Sequence, residues 1–314
     1  MEYTELRKRI SFARFFLALG FLAGAHLFTA CGPAAPDKFL KPPSVATSLS
    51  NYIVVASSAN QSVVLLDPNG SVVREIAVYD GTTTDAPAGI GIYDSSKVLV
   101  SVEGVDRVTI TDAKIGTSSA TTLILDGNLT GTMSGVMRFS SGDILVTETS
   151  NVERFSATGA RTTTGWPSAL QTTGTGLHPL ASGGFVHCST GSPGIRTYTS
   201  AGVVISALVV SGIGATTQAF DCAAAADGRV AAVWNGTTDT TRIYTNQALT
   251  AVSCNYANSV LLADPRRVAF RPNGNAIIAD GTSNIMVEID TTCTFVRTYS
   301  SASLSTVTGL KVFP

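Results

Sequence analysis

The sequence predicts an all-β fold, a six-bladed β-propeller with four antiparallel strands in each blade, and three observations support this prediction. Apolar or alternating segments of about four to eight residues lie between turns rich in Gly, Asn, Asp and Ser, a pattern typical of strands. The pattern recurs at a regular spacing, which indicates a repeat architecture. One repeat is divided between the two ends of the repeated region, so the last strand can close a ring with the first three.

Each repeat begins with a small residue and an apolar strand, followed by three more strands separated by turns, and 268–299 is the clearest copy. First strands begin near residues 89, 135, 176, 220, 268 and 309, which is 220 residues over five intervals, or 44 per repeat. Four short strands fit this length. The complete units are 89–125, 135–166, 176–210, 220–256 and 268–299.

The sixth unit is the divided one. Residues 51–79 supply strands two to four, and 309–314 match a first strand with nothing after it. A β-sandwich requires no 44-residue period and a solenoid requires no divided unit, so the propeller is favoured over both. We expect essentially no helix after residue 30.

Residues 1–30 have the features of a secretory signal peptide. Four basic residues precede an uncharged apolar stretch at 15–29, and small residues come just before Cys31. Fifteen helical residues reach about 22 Å, short of the roughly 30 Å hydrocarbon core of a membrane. A cleaved signal is therefore favoured over a permanent membrane-spanning helix.

The segment Phe28-Thr29-Ala30-Cys31-Gly32 resembles the lipobox of bacterial lipoproteins, although Phe28 stands where Leu is usual. The resemblance implies that Cys31 becomes the first residue after cleavage and carries the lipid, with acyl chains such as palmitate. It also implies a cell-envelope location on the periplasmic or surface face. The absence of Asp at Gly32 favours the outer membrane. The alternative is an ordinary signal peptide with a cysteine at its border.

The predicted organisation has three parts. Residues 1–30 are the signal, 31–48 are the lipidated cysteine with a Pro-rich tether, and 49–314 are the propeller. Without the signal, 17 basic and 20 acidic residues remain, a net charge of −3, which argues against nucleic acid as a partner. The expected partners are the membrane, through the lipid, and an unidentified envelope protein or glycan.

A family resemblance rests on the last complete repeat. Val268-Ala269-Phe270-Arg271-Pro272-Asn273-Gly274-Asn275, followed by Ala279-Asp280-Gly281-Thr282-Ser283-Asn284, is similar to an NHL-type blade. The wider kinship is with six-bladed NHL, SMP-30 and lactonase-like propellers. It implies that Asp280 and Asn284 support the turn between strands two and three. SMP-30-like hydrolases hold a metal through a Glu-Gly-Pro motif; this chain has Asp85-Ala86-Pro87, which argues against metal-dependent hydrolysis.

No catalytic motif occurs in the chain, so no catalytic residue is predicted. Two histidines follow the signal. His187 is expected to be a hydrogen-bonded histidine inside a blade, and His178 lies in a first strand, where it faces the central channel.

A binding site is expected on the face that carries the connections from strand four to the next strand one and from strand two to strand three. We name it the loop face. The candidate channel and loop-face binding residues are Glu103, Glu148, His178, Asp221 and Asp280. Converging carboxylates can hold a divalent cation such as calcium, but solvated charges or turn caps are the simpler interpretation, so neither a metal nor another cofactor is predicted. The charged residues assigned to this face are Asp85, Glu103, Asp106, Arg107, Glu148, Asp221, Asp264, Arg266, Arg267 and Asp280.

Four cysteines remain beside Cys31, which permits two disulfides. Aligned repeats favour Cys188–Cys222 and leave Cys254 with Cys293, a pair that fits less well; four free thiols are the alternative. Trp166 and Trp234 could stack on a sugar, although packing between neighbouring sheets is the more common role.

These observations favour a lipid-anchored binding, interaction or scaffold module of the cell envelope. One alternative is a metal-dependent enzyme of the lactonase or lyase kind with its site at the channel mouth, and another is a structural subunit of an envelope complex.

Overall fold

The computed structural model describes residues 48–78, 86–103, 107–114, 121–125, 133–148, 152–162, 174–190, 194–209, 218–236 and 239–314. The predicted signal, Cys31 and the tether up to residue 47 lie outside the described residues, as do Asp85, Asp106 and Trp166. Within the described ranges, no helix is both long and apolar enough to cross a bilayer.

Six separate antiparallel sheets follow one another around a ring, and the predicted six-bladed propeller is confirmed. In each sheet the first strand is innermost, and the last described strand is outermost. Blade 1 contains β23 (Val307–Val312), β1 (Ile53–Ser57), β2 (Ser62–Leu66) and β3 (Val72–Ala77); blade 2 contains β4 (Ala86–Ile92), β5 (Lys97–Glu103), β6 (Arg107–Asp112) and β7 (Thr121–Leu125); blade 3 contains β8 (Gly135–Arg138), β9 (Ile144–Thr147) and β10 (Val152–Phe155).

The other three blades have four strands each. Blade 4 contains β11 (Gly174–Pro179), β12 (Phe185–Ser189), β13 (Gly194–Tyr198) and β14 (Val204–Val209); blade 5 contains β15 (Gln218–Ala224), β16 (Val230–Asn235), β17 (Thr240–Tyr244) and β18 (Val252–Tyr256); blade 6 contains β19 (Pro265–Phe270), β20 (Ala276–Asp280), β21 (Ile285–Ile289) and β22 (Phe295–Ser300).

Two details differ from the regular pattern. The described part of blade 3 has three strands, and an isolated bridge from Phe155 to Arg161 lies where a fourth strand is expected. A 3₁₀ turn at Ala302–Leu304 precedes the last strand.

Glycine fixes the turn between strands one and two in four consecutive blades. At Gly274, φ is +89°, a left-handed conformation that favours glycine, and its amide donates to the carbonyl oxygen of Arg271 at 2.9 Å. The equivalent glycines of blades 3 to 5 also have positive φ. They are Gly142, Gly183 and Gly228.

The last strand closes the ring, as the divided repeat predicts. β23 pairs antiparallel with β1, placing Leu310 opposite Val55 and Val312 opposite Ile53. Phe313 extends the pairing because its amide donates to the carbonyl oxygen of Tyr52 at 2.9 Å.

Among the described residues, the hydrophobic core is divided into six clusters, each between two neighbouring blades. Phe313 belongs to the cluster between blades 1 and 2, and Leu310 to the one between blades 6 and 1. Trp234 is fully buried between blades 4 and 5, in the packing role expected of it. The compact unit 45–314 includes all six clusters and the closing strand, so a protein without residues 1–44 keeps the whole described core.

One of the two predicted disulfides is confirmed and the other is wrong. Cys254 and Cys293 are bonded, with their Cα atoms 5.8 Å apart, and join the outer strand of blade 5 to the last turn of blade 6. Cys188 and Cys222 are free thiols, both buried between blades 4 and 5. The two cysteines stand at the same height in the aligned repeats, and both do lie in the cluster between blades 4 and 5. Their sulfurs are nevertheless not bonded to each other.

Candidate functional site

The central channel is constricted where glycines bring neighbouring inner strands together, and we name this constriction the closure. A Cβ atom on Gly91 would lie 2.5 Å from the carbonyl oxygen of Val136, and one on Gly309 would lie 2.8 Å from the amide of Ile90. The void that remains at the axis is about 10 Å³, room for about one water molecule.

Three charged side chains from blades 5, 6 and 1 line this closure: Asp221, Arg267 and Lys311. Arg267 links its two neighbouring blades, since Nε donates to the carbonyl oxygen of Thr308 at 2.5 Å and Nη1 to that of Phe220 at 3.3 Å. The hydroxyl of Thr308 in turn donates to the carbonyl oxygen of Pro87 at 2.5 Å. These bonds tie blades 5, 6, 1 and 2 together around the axis.

Asp221 is also bound to the scaffold. Its Oδ2 accepts a hydrogen bond from the amide of Val268 at 3.0 Å, across the boundary between blades 5 and 6. Burial raises the pKa of this carboxyl, while the charges of Lys311 and Arg267 oppose the rise. Gly176 leaves room for the carboxylate, because a Cβ there would collide with it.

Lys311 crosses the channel. Its Nζ donates to the carbonyl oxygen of Leu177 at 3.2 Å, and Leu177 belongs to blade 4, opposite blade 1 in a ring of six. The side chain is only 6% exposed. Burial lowers the pKa of the ammonium, and the negative charge of Asp221 opposes that shift.

The channel widens into a funnel on the face that carries the turns between strands one and two and between strands three and four, which we name the turn face. Two adjoining cavities of about 290 and 410 Å³ share His178, Pro179, Phe270, Val312 and Pro314. The ends of all six inner strands line them. We name these cavities the turn-face funnel; Lys311 contributes to the smaller one, next to the closure.

His178 and Arg138 carry the other ionisable side chains that line the smaller cavity, and Pro314, which carries the terminal carboxylate of the sequence, lines it too. Burial, reinforced by the charge of Lys311, lowers the pKa of His178 to about 3, so the imidazole is neutral near pH 7. Its Nδ1 lies 2.9 Å from the carbonyl oxygen of Pro179. Arg138 donates to the carbonyl oxygen of Tyr93 at 2.6 Å and stacks on the Tyr93 ring at 4.2 Å.

The five candidate residues do not converge on one site. His178 faces the channel, as expected of a residue in a first strand, and Asp221 lines the channel as well. Glu148 is buried at the end of β9, and Glu103 ends β5 with its side chain outside the described part. Asp280 caps a turn in blade 6: its carboxylate accepts from the amides of Asp264, Thr282 and Ser283 at 2.7–2.9 Å.

Assigning Asp221 and Arg267 to the loop face was wrong. β15 begins at Gln218 and β19 at Pro265, so both side chains lie within inner strands and face the closed channel. Asp264, immediately before β19, does lie at a connection on the loop face, where it forms an ion pair of 2.8 Å with Arg266 at the start of the strand. No three acidic, cysteine or histidine side chains of the described ranges converge as a metal site would require.

His187 also differs from expectation. It is fully buried in β12, but neither ring nitrogen has a hydrogen-bond partner among the described residues. Burial, together with the charge of Arg196, lowers its pKa to about 4.

Lys311 and Arg138 were not singled out from the sequence. A signal for the lysine exists: it interrupts the otherwise apolar strand Leu310-Lys311-Val312-Phe313, at a position facing the channel. Nothing comparable marks Arg138.

Exposed apolar side chains lie around the rim of the turn face. They stand at or just before the start of the outermost strand in blades 4, 5, 6 and 1, which are consecutive in the ring, and each is more than 40% exposed. We name them the apolar rim: Val203, Val204, Ile205, Val252, Phe295, Val296 and Val72.

No protein-family model matches the sequence, and no curated protein matches it. Solved structures do match. A chain of the nidogen–laminin complex superposes with a TM-score of 0.68 at 14% identity, over 84% of this chain and 98% of that one. Streptogramin B lyase gives 0.55 at 15% identity over 71% of each chain, and YCF48 bound to D1 peptide gives 0.50 at 13% over 78% and 79%. These likenesses show the fold alone.

Proposed function

We propose that this propeller is a lipid-anchored binding module of the bacterial cell envelope and that it presents its turn face to a protein partner. The observation that carries the proposal is that one face combines the turn-face funnel with the apolar rim. Concave apolar cavities are the usual ligand sites of proteins, and exposed apolar side chains on the same face add area that a protein partner can bury.

A protein partner fits this face better than a glycan. Trp234, one of the two tryptophans considered for stacking on a sugar ring, is fully buried in the core. The rim instead presents aliphatic side chains and Phe295, which bury well against another protein.

Anchoring through Cys31 is supported by the lipobox-like segment and by the Pro-rich stretch that follows it, which is typical of a tether. We expect the intact mass of the mature protein to show acylation at Cys31, and Cys31→Ser to release the protein from membranes. An unmodified N-terminus that begins elsewhere would disprove the anchor. The NHL/SMP-30-like kinship is likewise a proposal, supported by the repeat at 268–284.

Binding is favoured over the lactonase- or lyase-like alternative because Asp221 and Arg267 are committed to hydrogen bonds between blades. Turnover of lactones by the purified domain with added calcium, magnesium, manganese or zinc, abolished by Asp221→Asn, would support the enzyme instead.

The test is affinity capture from envelope extract with residues 45–314 as bait, in three forms: wild type, Val203→Asp and Val260→Asp. Val203 is a 63% exposed rim valine, whereas Val260 is an 89% exposed valine between β18 and β19, on the loop face. We expect Val203→Asp to lose a partner that wild type and Val260→Asp both retain. Loss with Val260→Asp alone would assign binding to the loop face. Flotation of the bait with vesicles, without a captured protein, would assign the rim to the membrane.

A further inference from the structure

We propose that the turn-face funnel binds a carboxylate carried on an apolar group, with the carboxylate seated at Lys311 on its floor. This inference rests on the proposed function, since it names the chemistry that the same face recognises.

The floor of the funnel holds a buried cation that is incompletely hydrogen-bonded. An ammonium has three N–H donors, and Lys311 uses one of them, toward the carbonyl oxygen of Leu177 at 3.2 Å. Lys311 lines both the small axial void and the cavity of about 290 Å³, so this residue forms part of the funnel floor.

The charges around the closure leave an excess of positive charge. Arg267 and Lys311 are both buried there with one carboxylate, that of Asp221. Asp221 accepts the amide hydrogen of Val268, and no ion pair within 4.0 Å joins it to either cation in the described part of the chain. Because a buried charge without a close counter-charge is unfavourable, a bound anion at Lys311 would be stabilised.

The walls of the funnel determine the rest of the ligand. Ile92, Met137, Phe270 and Val312 give it an apolar lining, and His178 is neutral near pH 7. Arg138, on the wall, adds a second positive charge, which offsets the terminal carboxylate of Pro314 in the same lining. A phosphate carries more charge and more acceptor oxygens, and it is usually held by arginine clusters or several backbone amides. A singly charged carboxylate on an apolar body therefore fits this lining better.

Such a carboxylate could belong to a small amphipathic acid or to the C-terminus of a protein partner. Two matched pairs of probes distinguish these sources: octanoate against 1-octanol, and acetyl-Leu-Leu-Phe as the free acid against its amide. In each pair the apolar body is kept and the negative charge is removed.

The experiment is isothermal titration of residues 45–314 with each probe. We expect the acid of at least one pair to bind about tenfold or more tightly than its neutral partner, equivalent to about 1.4 kcal/mol or more. Lys311→Met should remove that preference and leave the binding of the neutral probe unchanged. Lys114→Met, an exposed lysine beside the turn after β6, should change neither.

If Lys311→Met does not fold, the difference in affinity between the acid and the neutral probe, measured on the wild type, still tests the carboxylate inference. Equal binding of both members of each pair would overturn the carboxylate inference while leaving the funnel a binding site. Binding of none of the four probes would also overturn it, and capture of a partner through Val203 would then show that the proposed function stands without it.

Discussion

Replacing Phe313 by alanine tests ring closure with a single side chain. Phe313 is 1% exposed and packs between blades 1 and 2, immediately after the last strand. Phe295, in the outer strand of blade 6, is 46% exposed and provides the same substitution without a closing role.

Truncating a fully buried phenylalanine costs about 3–5 kcal/mol, because the apolar transfer energy is lost and a cavity remains. Whole domains are stable by only about 5–15 kcal/mol. We therefore expect Phe313→Ala to remove a large part of the free energy of unfolding and Phe295→Ala to remove less than about 1.5 kcal/mol.

Urea denaturation of residues 45–314, with the Cys254–Cys293 bond intact, measures both changes. If Phe313→Ala lowers the urea midpoint and all blades still unfold in a single transition, closure stabilises the ring as a unit. Equal effects of the two substitutions would refute the assignment of Phe313 to the closing contact.

Three further outcomes are expected. Burial raises the pKa of both Cys188 and Cys222, so a thiol reagent should find no reactive thiol in the native domain and two after denaturation; none after denaturation would mean that they are oxidised to each other. Burial holds the pKa of His187 at about 4, against 6.5 in the unfolded chain. The neutral imidazole therefore leaves the domain fully stable above pH 6.5, and the free energy of unfolding falls by about 3 kcal/mol as the pH drops toward 4. Thermal melting at several pH values should show that His187→Leu lacks this part of the acid sensitivity. Removing Glu288, which is 1% exposed and paired with two arginines, should cost about 3–5 kcal/mol in urea denaturation, whereas exposed Glu75→Ala should cost under about 1 kcal/mol.

The fold could be predicted from the sequence because each blade repeats the same local signals. Gly142, Gly183, Gly228 and Gly274 mark equivalent turns, and the strands between them alternate or are wholly apolar. The divided repeat then determined the order of β23 and β1, since no other unit lacked a first strand.

The site was less predictable because it depends on contacts between distant repeats. Lys311 reaches Leu177, 134 residues away, and alignment of repeats gives no measure of how far a side chain crosses the axis. The glycines that close the channel were visible, but the distances between inner strands were not. The same limitation explains the cysteines: repeat alignment placed Cys188 beside Cys222 but could not show that the two sulfurs remain unbonded.

The most direct test of turn-face binding is photo-crosslinking in intact cells, with a photoreactive amino acid placed singly in the full chain. The two positions are Val296, on the apolar rim, and Val260, on the loop face. Turn-face binding predicts a discrete crosslinked protein from position 296 and none from position 260. A crosslinked protein from position 260 alone would contradict it and move the binding site to the opposite face of the ring.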